Sequence, residues 1–247
     1  MSDKKDAFML ARIEEACQHN YEPRCFDFCD LALQRKLIPV LNKSGEPYCF
    51  YGGTAEAERK MLCIYPAWMD EDELAWPMAA LRFQPDFPID HRNVLGELMA
   101  QGITRDCLGD IFVSEGEVQA IFVSRLLPFF KENISKFKGR SVKIQWIEDV
   151  GEIKTYPIAY KSLSVVTASD RVDGLIGKIW GFSRQDALEM IKQKRLRINA
   201  EEITKNDFRF EAGDVLSLRG KGKAKIAAIS DSKTKKGNLR VTVWKYI

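Results

Sequence analysis

The sequence predicts an α+β protein with three domains, and three observations support this class. Apolar residues recur at helical spacing in some segments and alternate as in strands in others. The chain has 247 residues, of which 45% are hydrophobic, which is enough for more than one small core. Residues 170–247 carry 18 Lys and Arg against 10 Asp and Glu, whereas residues 1–169 carry 20 against 25. A basic C-terminal third on a mildly acidic body is typical of a module that binds a polyanion.

The first predicted domain, residues 1–74, mixes helices and strands. Met9, Ile13 and Ala16 recur at helical spacing. The stretch PYCFYGG predicts a strand closed by glycines, and MLCIYP predicts a second, apolar strand. Between them, TAEAERK predicts a helix that Thr54 caps. The acidic run MDEDE marks the expected end of this domain.

In the middle domain, residues 75–160, the apolar pattern predicts the order β-α-β-β-α-β of a ferredoxin-like sandwich. Alternating apolar residues over 79–83 and 142–146 predict the first and last strands. Asp90 can cap the first helix, and DIFV and VQAIFV predict a hairpin around SEGE. The second helix, SRLLPFFKENI, tolerates Pro128 only near its first turn. A common single-stranded-RNA module shares this layout, but its aromatic and glycine signature is absent, so a plain scaffold is an equal alternative.

The C-terminal domain, residues 161–247 with a connector at 151–168, is expected to contain two short helices and a sheet. Gly181 ends the first helix, and Ser183 with Asp186 predicts a capping box at the start of the second. LRIN, the stretch AGDVLSLRGKGKAKI, and a hairpin of IAAIS and LRVTVWKY around KKGN predict the strands. The apolar stripe of the first helix consists of Val172, Leu175, Ile176 and Ile179.

Positive charge is concentrated at the entrance of the second helix and in the loop RGKGK. A helix start points N–H groups outward, and Arg184 lies at that position, so we expect a phosphate site there. The two glycines of RGKGK let the backbone approach a phosphate strand. Such contacts supply affinity and position rather than base reading. Any one of these cations alone is better explained as solvated surface charge, but the set in this order favours RNA binding. The predicted RNA-binding residues are Arg171, Ser183, Arg184, Lys194, Arg195, Lys205, Arg219, Lys221 and Lys223.

These residues resemble the RNA-binding domain named after small-subunit ribosomal protein S-four. That family usually has glycine where Lys194 and Ala200 stand, so both residues would be strained if their backbones keep a positive φ. The resemblance rests on RVD at 171–173, FSR at 182–184, Ala187, Ile191, Asn199, TK at 204–205, GDV at 213–215 and RGKGK at 219–223.

The segments FYGGTAEAERK and GITRDCLGDIFV resemble the YlmH family of bacterial proteins. This resemblance implies an N-terminal domain, a ferredoxin-like middle domain and the C-terminal S-four-type domain. One departure is FCDL at 28–31, where relatives tend to have Phe-Leu-Asp-Pro. The resemblance further implies a factor that binds the large ribosomal subunit carrying peptidyl-tRNA after a stalled ribosome has split. Similar proteins act in quality control of the stalled chain.

Two further motifs depart from the sites that they resemble. RVDGL is similar to the loop that holds the catalytic aspartate of pseudouridine synthases, but Asp170 stands in place of the loop's glycine. The chain also contains no Ser/His/Asp set, P-loop or dinucleotide fingerprint. Cys17, His19, Cys25 and Cys29 lack the paired short spacings of a structural zinc site, so we expect no metal.

The sequence therefore predicts a non-enzymatic, monomeric RNA-binding protein without cofactors. Its expected partners are the large ribosomal subunit and RNA, namely rRNA, tRNA or both, with peptidyl-tRNA included. The alternatives are a pseudouridine-synthase-type enzyme and a protein-interaction factor linked to cell division. No signal-peptide-length run and no stretch of roughly 18 apolar residues is present. We therefore expect a cytoplasmic protein with no membrane partner and with free thiols at its six cysteines.

Overall fold

The computed structural model describes residues 2–114, 116–156, 159–230, 232, 234 and 237–246. The chain forms two compact units, Met1–Tyr156 and Pro157–Ile247. Across the described ranges, every helix is too short or too polar to span a lipid bilayer.

The first part of unit 1 places two helices and a three-stranded antiparallel sheet around one core. Asp30 caps α2 because its carboxylate accepts a hydrogen bond from Leu33 N at 2.9 Å. Ile13 and Ala16 of the predicted stripe are buried against Leu37. The elements are α1 (Ser2–Gln18), β1 (Arg24–Cys29), α2 (Leu31–Ser44), β2 (Tyr48–Tyr51) and β3 (Lys60–Ile64), and the strands are ordered β1-β3-β2.

The prediction of a helix over TAEAERK is wrong, because residues 52–59 form a loop between β2 and β3. The backbone N–H groups of Glu58 and Arg59 donate to the Asp110 carboxylate at 2.7 and 3.3 Å, which holds the loop in a non-helical path. A β-carbon on Gly52 would lie 2.4 Å from the Arg59 carbonyl oxygen. Thr54 therefore caps no helix, and its side chain is buried.

The second part of unit 1 confirms the predicted β-α-β-β-α-β order. Asp90 caps α3, and Pro128 lies in the first turn of α4. An additional hairpin precedes the last strand, which begins at Gln145. Val142 and Ile144 therefore lie before this strand, and their side chains still pack against the core. The sheet is antiparallel with the ferredoxin-like order β5-β6-β4-β9. The elements are β4 (Met78–Phe83), α3 (His91–Met99), β5 (Leu108–Ser114), β6 (Glu117–Val123), α4 (Leu127–Asn133), β7 (Lys136–Phe137), β8 (Arg140–Ser141) and β9 (Gln145–Ile147).

The two parts of unit 1 share buried residues. Phe28 of β1 and Met61 of β3 belong to one apolar cluster with Met78, Ala80 and Ile121 of the second sheet. The expected boundary near residue 74 thus falls inside a compact unit, and a division of the chain at that position stays a prediction.

Unit 2 packs two helices on one face of a six-stranded antiparallel sheet. Its core contains Leu175, Ile191, Leu216 and Val243. The strand β10 lies within the predicted connector and pairs with β15 over all eight of its residues. The sheet order is β10-β15-β14-β13-β11-β12. The elements are β10 (Tyr160–Thr167), α5 (Val172–Trp180), α6 (Arg184–Lys192), β11 (Leu196–Ile198), β12 (Glu201–Glu202), β13 (Val215–Leu218), β14 (Gly222–Ile229) and β15 (Leu239–Tyr246). In the predicted turn KKGN, Lys235 and Lys236 lie outside the described residues.

Lys194 and Ala200 have positive φ, a conformation that glycine adopts more readily than other residues. Their φ angles are 56° and 70°, and that of Asn199 is 52°. The Asn199 side chain donates to the Asp214 carboxylate at 2.7 Å and accepts from Val215 N at 2.9 Å. These bonds compensate the conformation of Asn199, whereas strain is expected at the other two positions.

The expectation of free thiols is wrong for two of the six cysteines. Cys25 and Cys63 form a disulfide, because the register of β1 and β3 places them directly opposite each other. Burial raises the pKa of Cys29 and of Cys49 to about 12, so both thiols stay protonated. The described residues contain no group of three His, Cys, Asp or Glu that could hold a metal ion.

Candidate nucleic-acid interface

Helix α6 begins where Ser183 and Asp186 predict it. Ser183 Oγ accepts a hydrogen bond from Asp186 N at 3.1 Å, and Asp186 Oδ2 accepts one from Ser183 N at 3.3 Å. Helix α5 ends at Gly181, whose φ is 75°. These caps fix Arg184 as the first residue of α6. They also place the Asp186 carboxylate at the helix start, so this end is less open to a phosphate than the sequence suggests.

A buried carboxylate, that of Asp173, bonds to the arginines at the starts of α5 and α6. Asp173 is 1% exposed and accepts hydrogen bonds from Arg171 at 3.2 and 3.0 Å and from Arg184 at 3.2 and 2.9 Å. Burial alone would raise the pKa of Asp173, but the bonds from Arg171 and Arg184 hold it below its ordinary value. The carboxylate therefore stays ionised near neutral pH and holds both guanidinium groups.

Both guanidinium groups keep one edge outside this ion pair. The bonds to Asp173 use Nε and Nη2 of each arginine, and the side chains of Arg171 and Arg184 are 37% and 67% exposed. The remaining N–H groups can donate to phosphate oxygens without a change of rotamer. The sequence suggested that Arg184 points freely into solvent. In the structure, its hydrogen bonds to Asp173 hold the side chain in place.

The predicted loop RGKGK contains the turn between β13 and β14. Gly220 and Gly222 have φ angles of 82° and 97°, which glycine adopts without strain. The side chains of Arg219 and Lys221 on this turn are exposed. Trp180 Nε1 donates to the carbonyl oxygen of Lys221 at 3.0 Å, which anchors the turn to the end of α5.

Arg195 supports the same turn from the residue that precedes β11. Arg219 N donates to the Arg195 carbonyl at 2.9 Å, and Arg195 Nη2 donates to the Arg219 carbonyl at 2.8 Å. The adjacent Lys194 forms an ion pair with Glu202 at 3.3 Å. Arg195 thus positions the turn as well as adding charge, and Glu202 offsets part of the charge of Lys194.

The remaining two predicted cations lie elsewhere. Lys205 is exposed in the loop between β12 and β13. Lys223 lies in β14 opposite Ser217, on the sheet face turned away from α5 and α6. The structure therefore brings the predicted residues into two bonded groups rather than one. The first group contains Arg171, Arg184 and the cap Ser183, and the second contains Arg195, Arg219 and Lys221 with Lys194 beside them.

The two segments that suggested the family contact each other in unit 1. Arg59 donates to the carbonyl oxygens of Leu108 at 2.8 Å and of Arg105 at 3.1 Å. Burial lowers the pKa of Arg59 and also that of Arg105, the latter to about 10. Together with the Asp110 bonds described above, these contacts explain both motifs as parts of a structural junction.

The comparisons with known proteins agree with this resemblance. A family model described as "Putative RNA-binding domain in YlmH" matches residues 73–150. The Bacillus subtilis (strain 168) protein named "Ribosome-associated protein quality control protein P2" is 28% identical over 228 residues, which are 91% of this chain and 88% of that relative. The chain is therefore similar to the YlmH family, through the family model over residues 73–150.

The fold of this chain is also similar to a solved structure. That structure, "Cell division protein ylmH from Streptococcus pneumoniae", has a TM-score of 0.52 and 18% sequence identity, and the match covers 62% of this chain and 96% of that one. At this identity the likeness shows the fold alone, which agrees with the α+β class described above.

The region that matches the YlmH model contains a basic group that sequence reasoning missed. Lys136, Lys138 and Arg140 lie on the exposed β7–β8 hairpin, with Lys131 and Lys143 on either side. Lys131 Nζ forms an ion pair with Glu148 Oε1 at 2.6 Å, and Arg140 Nη2 lies 3.9 Å from Asp86 Oδ2. The signal was the stretch KFKGRSVK, which has four cations and no acid.

Proposed function

We propose that this chain is a non-enzymatic RNA-binding protein of the YlmH family whose C-terminal unit is an S-four-type domain. It binds rRNA, peptidyl-tRNA or both on the large ribosomal subunit, as a monomer in the cytoplasm, and acts in quality control of stalled translation. The observation that carries the proposal is the arginine pair on Asp173. An ionised, buried carboxylate holds two exposed guanidinium groups in place, which lowers the entropic cost of binding a phosphate.

The second bonded group adds to this proposal. The β13–β14 turn presents Arg219 and Lys221 beside two glycines, and the bonds from Arg195 and Trp180 hold its backbone. A preformed, glycine-containing turn lets phosphates approach the backbone closely. Both groups contact phosphates, so they supply affinity and position, and specificity requires further contacts.

The names of the relatives point in the same direction. One is a ribosome-associated quality control protein, and the family model describes RNA binding in residues 73–150. The basic β7–β8 hairpin lies in that range and gives the middle of the chain a phosphate contact of its own. RNA therefore contacts both units in this proposal.

The pseudouridine-synthase alternative is not favoured. Its candidate residue, Asp173, is buried and bonded by two arginines, so its carboxylate serves as an anchor. The buried, protonated thiols of Cys29 and Cys49 are poor nucleophiles. These observations support a binding role without catalysis.

A sedimentation experiment tests the proposal. The protein should sediment with purified large ribosomal subunits at low salt and be released as salt is added. If about six basic side chains meet phosphates, log K should fall against log salt concentration with a slope of about −4 to −5. Equal binding to small subunits would contradict the assignment to the large subunit, and a slope near zero would contradict the phosphate contacts.

A further inference from the structure

One face of the unit 2 sheet is turned away from both helices of that unit. The buried Val241 and Val243 of β15 belong to the core with α5 and α6. Because side chains alternate along a strand, Thr242, Trp244 and Tyr246 point to the opposite side. We call this side, formed by the outward residues of β10, β15, β14, β13 and β11, the outer sheet face.

Aromatic side chains gather at one end of the outer sheet face. Tyr160 of β10 is 45% exposed, although large apolar surfaces are usually buried. Its ring stacks on that of Trp244, with 4.7 Å between centroids and 23° between planes. Tyr246 lies directly opposite Tyr160 in the strand register. A stacked pair with one exposed ring face can accept a further planar ring.

Cations continue from these rings across the sheet. Lys225 lies directly opposite Trp244 in the register, and its Nζ is 5.9 Å from the indole centroid. Lys223 lies two residues before it, opposite Ser217, and Arg197 lies opposite Ser217 on the next strand. Neighbouring strands are about 4.8 Å apart, so Lys223 and Arg197, which flank Ser217, lie about two strand spacings from each other.

The charge on this face is strongly unbalanced. Arg240, opposite Val166, adds a fourth cation to Arg197, Lys223 and Lys225. The described outward residues of these five strands include no acidic side chain, and Glu202 of the adjoining β12 lies opposite Arg197 at the sheet edge. A polyanion therefore fits this face, whereas an acidic partner protein would leave the exposed ring without a planar counterpart.

We propose that the outer sheet face binds unpaired nucleotides of RNA, as a second contact separate from the phosphate contacts at the helix starts and the β13–β14 turn. A base stacks on the exposed face of Tyr160, and the phosphates that follow lie along Lys225, Lys223 and Arg197. Stacking tolerates any base and requires it to be unpaired, so the ligand class is single-stranded RNA. This site does not depend on the proposed ribosomal role.

The test uses the full chain and a fluorescein-labelled oligouridine, because oligouridine has little structure of its own. Binding is measured by fluorescence anisotropy at low salt. Tyr160→Ala should weaken binding about tenfold, the effect expected for the loss of one stacked base, and Tyr160→Phe should restore it. Val166→Ser is the matched control, because Val166 is 38% exposed at the far end of the same strand from Tyr160, outside the path along Lys225, Lys223 and Arg197, and has no ring. It should leave binding unchanged.

Tryptophan fluorescence gives a second readout that a structural role would not move. Saturating oligouridine should quench the fluorescence of the chain, and Trp244→Phe should remove most of this quenching while keeping the stacked pair. Circular dichroism of each variant shows whether it is folded. Native binding by folded Tyr160→Ala, or an equal loss in Val166→Ser, would overturn the proposal.

The remaining outcomes separate this site from the proposed function. The same variants are tested for binding to large ribosomal subunits, beside Lys221→Ala. Loss of oligouridine binding in Tyr160→Ala but not in Lys221→Ala supports the outer sheet face, even if subunit binding fails altogether. If Tyr160→Ala changes only the self-association of the protein in analytical ultracentrifugation, the face is a protein contact and the proposal is wrong.

Discussion

Asp173 is the residue that connects the packing of unit 2 with its surface charge. Its side chain is almost completely buried, yet each of its partners, Arg171 and Arg184, is substantially exposed. Removing either arginine therefore affects both the anchor and the surface. From sequence alone Arg184→Ala is predicted to leave folding unchanged. From the structure we expect instead that Arg184→Ala lowers the free energy of unfolding by about 1 kcal/mol or less, because water partly screens the ion pair with Asp173.

A pH series with Asp173→Asn tests this anchor. A carboxyl group whose folded pKa is depressed stabilises fully above its unfolded pKa, here 3.8, and loses that contribution as the pH falls through the folded pKa. Native protein should therefore be more stable than the variant near neutral pH. The difference in unfolding free energy, measured with urea, should shrink once the pH falls below about 4. A difference that stays constant down to the acid limit of folding would argue against an ionised Asp173.

Two neighbouring positions with positive φ should respond oppositely to glycine. Lys194→Gly should stabilise unit 2 by about 0.5 kcal/mol, because glycine adopts a φ of 56° without strain. Asn199→Gly should destabilise it despite the similar φ, because the bonds to Asp214 and Val215 are lost. Thermal unfolding of both variants measures the change in stability that each substitution causes. Equal shifts of the same sign would mean that backbone strain does not distinguish the positions.

At the scale of elements, local signals predicted structure well where the determining contacts are also local. The caps Asp90 and Ser183 bond to residues three positions later, and both helices begin there. The loop at 52–59 could not be predicted, because the carboxylate that holds it belongs to Asp110, far along the chain. The burial of Asp173 was equally hidden, since RVDGL alone does not show that Arg184, at the start of another helix, also bonds to this carboxylate.

The β13–β14 turn is the element whose removal should change the salt dependence of binding. The double change Arg219→Ala/Lys221→Ala should make the slope of log K against log salt concentration, measured for binding to large ribosomal subunits, less steep by about one to two. The control is Lys161→Ala/Lys245→Ala, which removes the same charge from directly opposed lysines of β10 and β15. If the control changes the slope as much as the turn does, binding follows net charge rather than this turn.

At the scale of the whole molecule, the division into two units predicts that the second unit folds alone. A fragment that begins at Pro157 keeps all of β10 and should unfold cooperatively in urea. A fragment that begins at Leu163 loses the pairing of Tyr160 with Tyr246 and should be less stable. Circular dichroism compares the two. An unfolded longer fragment would show that unit 2 depends on the rest of the chain.

The strand order of unit 2 also bears on how the chain is synthesised. β10 is the first strand of the unit to leave the ribosome, and its partner β15 is the last. Until β15 has been made, β10 has no neighbour in the sheet and the edge of β14 stays open. Long-range pairing of this kind is slow to form and leaves strand edges exposed to other chains. A nascent chain that stops before residue 239 would therefore expose two unpaired strand edges and would be prone to aggregation.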